Sequence, residues 1–229
     1  MKIIGLIGGM SWESTVTYYQ IINEAVKQSL GGLHSARILL FSVDFAEIEH
    51  FQASGEWDQS ALLLSAAAQK LEMAGADFIV ICTNTMHKVA PDIQSTIGIP
   101  IIHIADATAE ALCKQKIKKV ALLGTTYTMT QEFYKERITR VGIEVLVPNK
   151  QDIEVVNHII YTELCLGTIS EQSKQKFLAI LANLEQQGAE GVILGCTEIG
   201  LLIQQKDISL PVFDTTIIHA TKAAALSIG

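Results

Sequence analysis

The sequence predicts an α/β protein made of two similar doubly wound parallel sheets related by pseudo-twofold symmetry. Three observations lead there. Short apolar runs rich in β-branched residues alternate with amphipathic stretches along the whole chain. Glycines at Gly31, Gly32, Gly75, Gly142 and Gly188 punctuate the amphipathic stretches where helices would close. The chain also repeats itself. KIIGLIGG from Lys2 matches KKVALLGT from Lys118, GADFIVICTNT from Gly75 matches GAEGVILGCTE from Gly188 without a gap, and IPIIHIAD from Ile99 resembles LPVFDTT from Leu210. Three matches in one order at similar offsets indicate two halves of one architecture.

In chain order, residues 2–7 read as a first buried strand. A helix follows with Tyr19, Ile22 and Val26 on one face, then a second with Leu64, Ala68 and Leu71. Residues 78–82 and 99–104 read as strands. The second half gives a strand at 120–123, a helical stripe of Tyr134, Ile138 and Val141, another of Phe177, Leu181 and Leu184, and strands at 192–194 and 211–213. These stripes are core positions and carry no chemistry.

Composition narrows the function. Of 229 residues, 49% are apolar and 18% charged, an ordinary globular balance. The formal charge of −7 leaves no broad basic surface, so nucleic acid is not an expected partner. No apolar run approaches the roughly 20 residues that span a bilayer, so no membrane association is expected. The apolar start at 3–7 is ended by Gly8-Gly9 too early for a signal peptide. Cys82, Cys113, Cys165 and Cys196 are widely spaced, with no Cys-x-x-Cys and no histidine at ligand spacing. Free thiols in a cytoplasmic protein are expected, without disulfide scaffold or metal site. Cys113 falls inside a helical pattern and reads as structural.

The chemistry is expected at strand ends. The ungapped repeat sets Thr83 against Cys196, Cys82 against Gly195, Asn84 against Thr197 and Thr85 against Glu198. In parallel sheets, ligands collect at the carboxyl ends of strands, and helix N-termini there favour anions. Gly8-Gly9-Met10-Ser11 and Gly124-Thr125-Thr126 equip two further strand ends. No Gly-x-Gly-x-x-Gly or Gly-Lys-Ser/Thr occurs, so a small anion is favoured over a nucleotide. If the halves pack as duplicates, these ends can face each other across a cleft between them.

CTNTMH at 82–87, GCTE at 195–198 and GGMSWEST at 8–15 resemble the signature segments of the aspartate/glutamate racemases. TNTMHK, ELCLG at 163–167, GCTEIGLL and PVFDT bring the resemblance closest to the bacterial L-aspartate/glutamate-specific branch, over essentially the whole chain. The resemblance implies an isomerase that removes an α-proton from one face of a small acidic amino acid and returns it on the other, without a cofactor. It also implies that the last helix rejoins the first half, giving domains at 1–104 plus 215–229 and at 105–214. Homodimers are common in the family.

By that resemblance, Cys196 serves as acid/base for the L-substrate, its pKa lowered at a helix N-terminus. Most family members carry a second cysteine where this chain has Thr83; the specific branch has threonine. Neighbouring strand residues point to opposite faces, so Thr83 or Cys82 faces substrate, and the repeat selects Thr83 unless a bulge intervenes. Asn84, Thr85 and Thr197 are implied for the α-carboxylate and amino group. Met10, Ser11, Thr125 and Thr126 line the site, and Gln52 is a candidate for the side-chain carboxylate. Glu198 binds the ammonium, assists Cys196, or is a first-turn helix acid. Cys165 lines the pocket or is an inert thiol, and His87 tunes a helix end or is structural. A lysine usual near Cys165 and an arginine usual near Glu47 or Ile48 are absent, which puts strict aspartate preference in doubt. The rivals are a single-cysteine decarboxylase of the same superfamily and a non-catalytic amino-acid binding module.

Overall fold

The apolar runs become parallel strands in two separate sheets. The computed structural model describes residues 1–229, which divide into two units: Met1–Ile104 with Thr216–Gly229, and Ala105–Thr215. In the first unit, β1 (Ile4–Gly8) lies between β2 (Ile38–Ser42) and β3 (Phe78–Ile81). The connections are α1 (Trp12–Leu30), α2 (Phe45–Ser54) and α3 (Trp57–Met73). After β3 come a 3-10 turn (Thr85–Val89) and α4 (Ala90–Gln94), and α5 (Ile104–Lys114) opens the second unit.

The second unit contains β4 (Lys119–Gly124), α6 (Thr126–Thr130), α7 (Glu132–Thr139), β5 (Glu144–Leu146) and α8 (Lys150–Thr162). A 3-10 turn (Leu164–Leu166) leads to α9 (Glu171–Gln186), β6 (Val192–Gly195), α10 (Ile199–Leu202) and β7 (Val212–Asp214). Its sheet order is β5-β4-β6-β7, all parallel. The last helix, α11 (Thr215–Ile228), runs into the first unit.

Both faces of the first sheet are covered, as a doubly wound fold requires. Ile4, Leu6, Val80 and Cys82 pack with Tyr18, Ile22 and Val26 of α1 and with Ala220, Ala223 and Ala224 of α11. Ile7, Ile79 and Ile81, on the alternate face, pack with Leu64, Ala68 and Leu71 of α3. In the second unit, Ala121, Leu123, Val192 and Leu194 pack with Val156 and Ile160 of α8 and with Phe177, Leu181 and Leu184 of α9.

The internal repeat is visible in the pairing itself. Gly5 opposes Ile79 as Ala121 opposes Val192, and Leu6 opposes Val80 as Leu122 opposes Ile193. Each pair consists of the residues that the repeat aligns. Gln94 and Gln205 repeat one brace: each donates to a carbonyl (Ile99 or Leu210, both 3.0 Å) and accepts an N–H two residues on (Ile101, 2.8 Å; Val212, 2.9 Å).

Three sequence readings need correction. Helix α1 buries Tyr18, not Tyr19, which is 54% exposed; Tyr18, Ile22 and Val26 stand four residues apart and share one stripe. Val141 lies beyond the end of α7 and is exposed. Residues 99–104 form one bridge, Ile101 to Ile79, rather than a strand. There the Ile102 carbonyl accepts from His219 Nε2 at 2.7 Å, and the chain turns into α5 at Ile104. No helix is long and apolar enough to cross a membrane.

Candidate active site

At the end of β1, Gly9 adopts φ +94°, and a side chain there would strike the backbone of Val43. Its N–H donates to Thr15 Oγ1 at 2.8 Å. Ser11 caps α1, and Ser14 Oγ donates to the Cys82 carbonyl at 3.3 Å, tying this loop to the end of β3. Met10 and Ser11 are both buried.

At the end of β3, alternation places Cys82 wholly within the α1/α11 core, where burial pushes its thiol pKa far up. Thr83 is half-buried, while Asn84 and Thr85 are buried. Gln52, buried on α2, directs its amide nitrogen at Met86 Sδ, 2.9 Å away, and so lies beside this turn.

At the end of β4, Thr125 caps α6, its hydroxyl accepting from Thr128 N at 3.3 Å. Thr126 N donates to Asn157 Oδ1 on α8 at 2.8 Å. The paired glycines Gly124 and Gly195 allow close approach of β4 to β6; a side chain at Gly124 would lie 2.8 Å from the Gly195 carbonyl.

At the end of β6, Cys196 is buried and donates its thiol proton to Glu198 Oε2 at 3.0 Å. Thr197 Oγ1 donates to the same oxygen at 2.6 Å. Glu198 itself is 4% exposed and makes no side-chain cap of α10. Of its three sequence readings, the geometry realises contact with Cys196. Cys165, in the 3-10 turn packed against α10, borders the same core.

The surroundings of Cys196 work against the expected acidic thiol. The Cys196 pKa is raised well above its ordinary value, by burial first, then by the Glu198 charge and by Cys165. Helix α10 is a single turn of four residues, too short to offset these effects. Burial and the neighbouring carboxylate both favour the thiol form of Cys196, the form that donates to Glu198. Cys113, read from sequence as structural, is instead exposed on α5.

Sequence reasoning missed Asn157, which fixes Thr126, and Asp214, whose carboxylate occupies the space beside Gly200 at the start of α10. Asn157 sits within an ordinary amphipathic helix and carries no local signal. Asp214 belongs to the PVFDT segment, at the carboxyl end of β7.

Comparison with known proteins agrees with this architecture. The profile of the Asp/Glu/Hydantoin racemase family matches residues 7–223. A Yersinia pestis protein solved as a candidate Asp/Glu racemase is 58% identical, with a TM-score of 0.94 and 100% of both chains covered. An aspartate racemase homologue from Pyrococcus horikoshii is 39% identical, with a TM-score of 0.87 over 100% of both chains. A broad specificity amino-acid racemase of Bacillus subtilis is 22% identical over 231 residues, 93% of each chain. The chain belongs to the Asp/Glu/Hydantoin racemase family.

Proposed function

We propose that the protein is a cofactor-independent racemase of a small acidic amino acid, aspartate, glutamate or both. The observation that carries this reading is the buried Cys196 thiol, 3.0 Å from the Glu198 carboxylate at a strand end. A thiol so held is a poor base in the resting protein. A substrate ammonium arriving nearby offsets the Glu198 charge and lowers the cost of a thiolate, while Glu198 takes the proton. The thiolate then removes the α-proton of the L-substrate, leaving the bonding pair on the α-carbon as a carbanion. A proton returned on the opposite face completes inversion.

Thr83 serves that second face. Its hydroxyl is too weakly acidic to act as a free alkoxide, so it relays a proton from water. Asn84, Thr85 and Thr197 hold the α-carboxylate and ammonium, and Gln52 the side-chain carboxylate. Met10, Ser11, Thr125, Thr126 and Cys165 complete the lining.

Incubation with L-aspartate and L-glutamate in deuterated water, without added cofactor, tests the reading. Deuterium at the α-carbon and appearance of D-isomer are expected for at least one. Binding without exchange would instead support a binding module, and carbon dioxide release from a substituted malonate a decarboxylase.

A further inference from the structure

The two aligned strand ends are followed by different chemistry. The repeat that sets Thr83 against Cys196 also sets His87 against Gly200 and His103 against Asp214. The thiol strand end thus has carboxylates behind it, whereas the hydroxyl strand end has imidazoles.

His87 is 1% exposed, in the 3-10 turn that leaves β3. Its Nδ1 lies 2.8 Å from the Thr83 carbonyl oxygen, and its Nε2 lies 3.2 Å from the N–H of Ile104. An N–H can only donate and a carbonyl can only accept. Nε2 therefore carries no proton, and the ring is neutral with its proton on Nδ1, donated to Thr83. The ring also packs edge-on against His103, centroids 4.5 Å apart, and against His219 at 5.6 Å. His219 has the opposite tautomer: Nε2–H donates to the Ile102 carbonyl, and Nδ1 accepts from the Tyr18 hydroxyl at 2.9 Å. The two rings together link residues 102–104 to the Thr83 turn and to Tyr18 of α1.

We propose that His87 is the positioning residue for the hydroxyl side of the reaction: its neutral Nδ1–H tautomer holds the Thr83 carbonyl and thereby fixes the Thr83-Asn84-Thr85 backbone. The inference rests on the racemase reading. A hydroxyl relay works only when its oxygen lies in line with both water and the α-carbon, and small misplacements cost rate steeply. A relay through Thr83 accordingly needs its backbone locked, and the imidazole supplies the lock from the protein interior without itself meeting substrate.

Two variants separate the two ring nitrogens. His87→Asn keeps an amide donor where Nδ1 stands, and His87→Gln keeps an acceptor where Nε2 stands. Initial α-hydrogen exchange in deuterated water is measured from D- and L-enantiomers at low conversion. In His87→Gln the D-to-L exchange ratio is expected to fall by on the order of tenfold, and in His87→Asn to return toward the wild-type ratio. An equal ratio in both variants, with both folded by thermal melting, would overturn the proposal. Nitrogen NMR of the imidazoles is independent of activity: His87 is expected as the Nδ1–H tautomer at pH 7.5, and an Nε2–H or imidazolium form would overturn the proposal. If the wild-type protein exchanges neither enantiomer, the racemase reading fails. Amide hydrogen exchange over residues 84–88 then decides the positioning role, which requires faster exchange in His87→Gln than in His87→Asn.

Discussion

Glu198→Gln should separate the charge of this carboxylate from its shape. Two hydrogen bonds end on Glu198 Oε2, from Cys196 at 3.0 Å and Thr197 at 2.6 Å. A glutamine oxygen can accept both, so the stability cost should stay at about 1 kcal/mol. The charge, however, is one of the causes that raise the Cys196 pKa, second to burial. Its removal lowers that pKa, and each unit lowered multiplies the thiolate fraction at fixed pH by about tenfold. Alkylation of Cys196 by iodoacetamide, followed by peptide mapping, should therefore accelerate. Turnover should fall all the same, by on the order of 10²–10⁴, because the neutral amide cannot accept the thiol proton. Faster alkylation with slower α-hydrogen exchange is the predicted pair. Unchanged exchange, or alkylation and exchange slowed together, would refute a proton-accepting role and leave Glu198 as a structural side chain.

Other consequences are independent. Cys82→Ala should keep most activity while costing about 1–2 kcal/mol in denaturant melts, because its sulfur fills a fully buried site away from the Thr83 face; an inactive, well-folded variant would refute the Thr83 assignment. Thr83→Cys should raise initial α-proton exchange from the D-substrate more than from the L-substrate, with the final isomer ratio unchanged; an unchanged D-to-L ratio of rates would show that Thr83 does not serve the D face. His219 is fully buried, and burial lowers its pKa from 6.5 to about 4. The folded state binds this proton less readily than the unfolded state, so the stability present above pH 6.5 drains away as pH falls toward 4, by about 3 kcal/mol. His219→Gln should flatten that part of the stability–pH curve, and an unaltered slope would exclude His219 as its source.

Strands buried along their whole length were legible because burial on both faces demands continuous apolar runs, as in residues 78–82 and 192–194. Two strands with exposed positions were not: β2 mixes half-buried and exposed residues and β5 has only three residues, none of them fully buried, so neither stands out from a loop. The repeat was legible as matched letters, and the structure returns it as matched cross-strand partners and as the Gln94 and Gln205 braces. Tyr18 and Tyr19 are neighbours in the same helix, so one position of phase decided which was buried. The state of Cys196 was not legible. It depends on a side-chain fold-back by Glu198 and on the approach of Cys165 from a distant turn, neither of which leaves a spacing signal. The imidazole pair was equally hidden, since Tyr18, His87 and His219 come from three separated segments.

The central claim is that the Cys196 thiol exchanges the α-proton of an acidic amino acid. Its most direct measurement compares wild-type protein with Cys196→Ala in deuterated water, supplied with L-aspartate or L-glutamate and no cofactor. Wild-type protein should place one deuterium at the α-carbon and generate the D-isomer. The variant, folded by circular dichroism and thermal melting, should do neither. Exchange that persists at the wild-type rate in the folded variant would contradict the account.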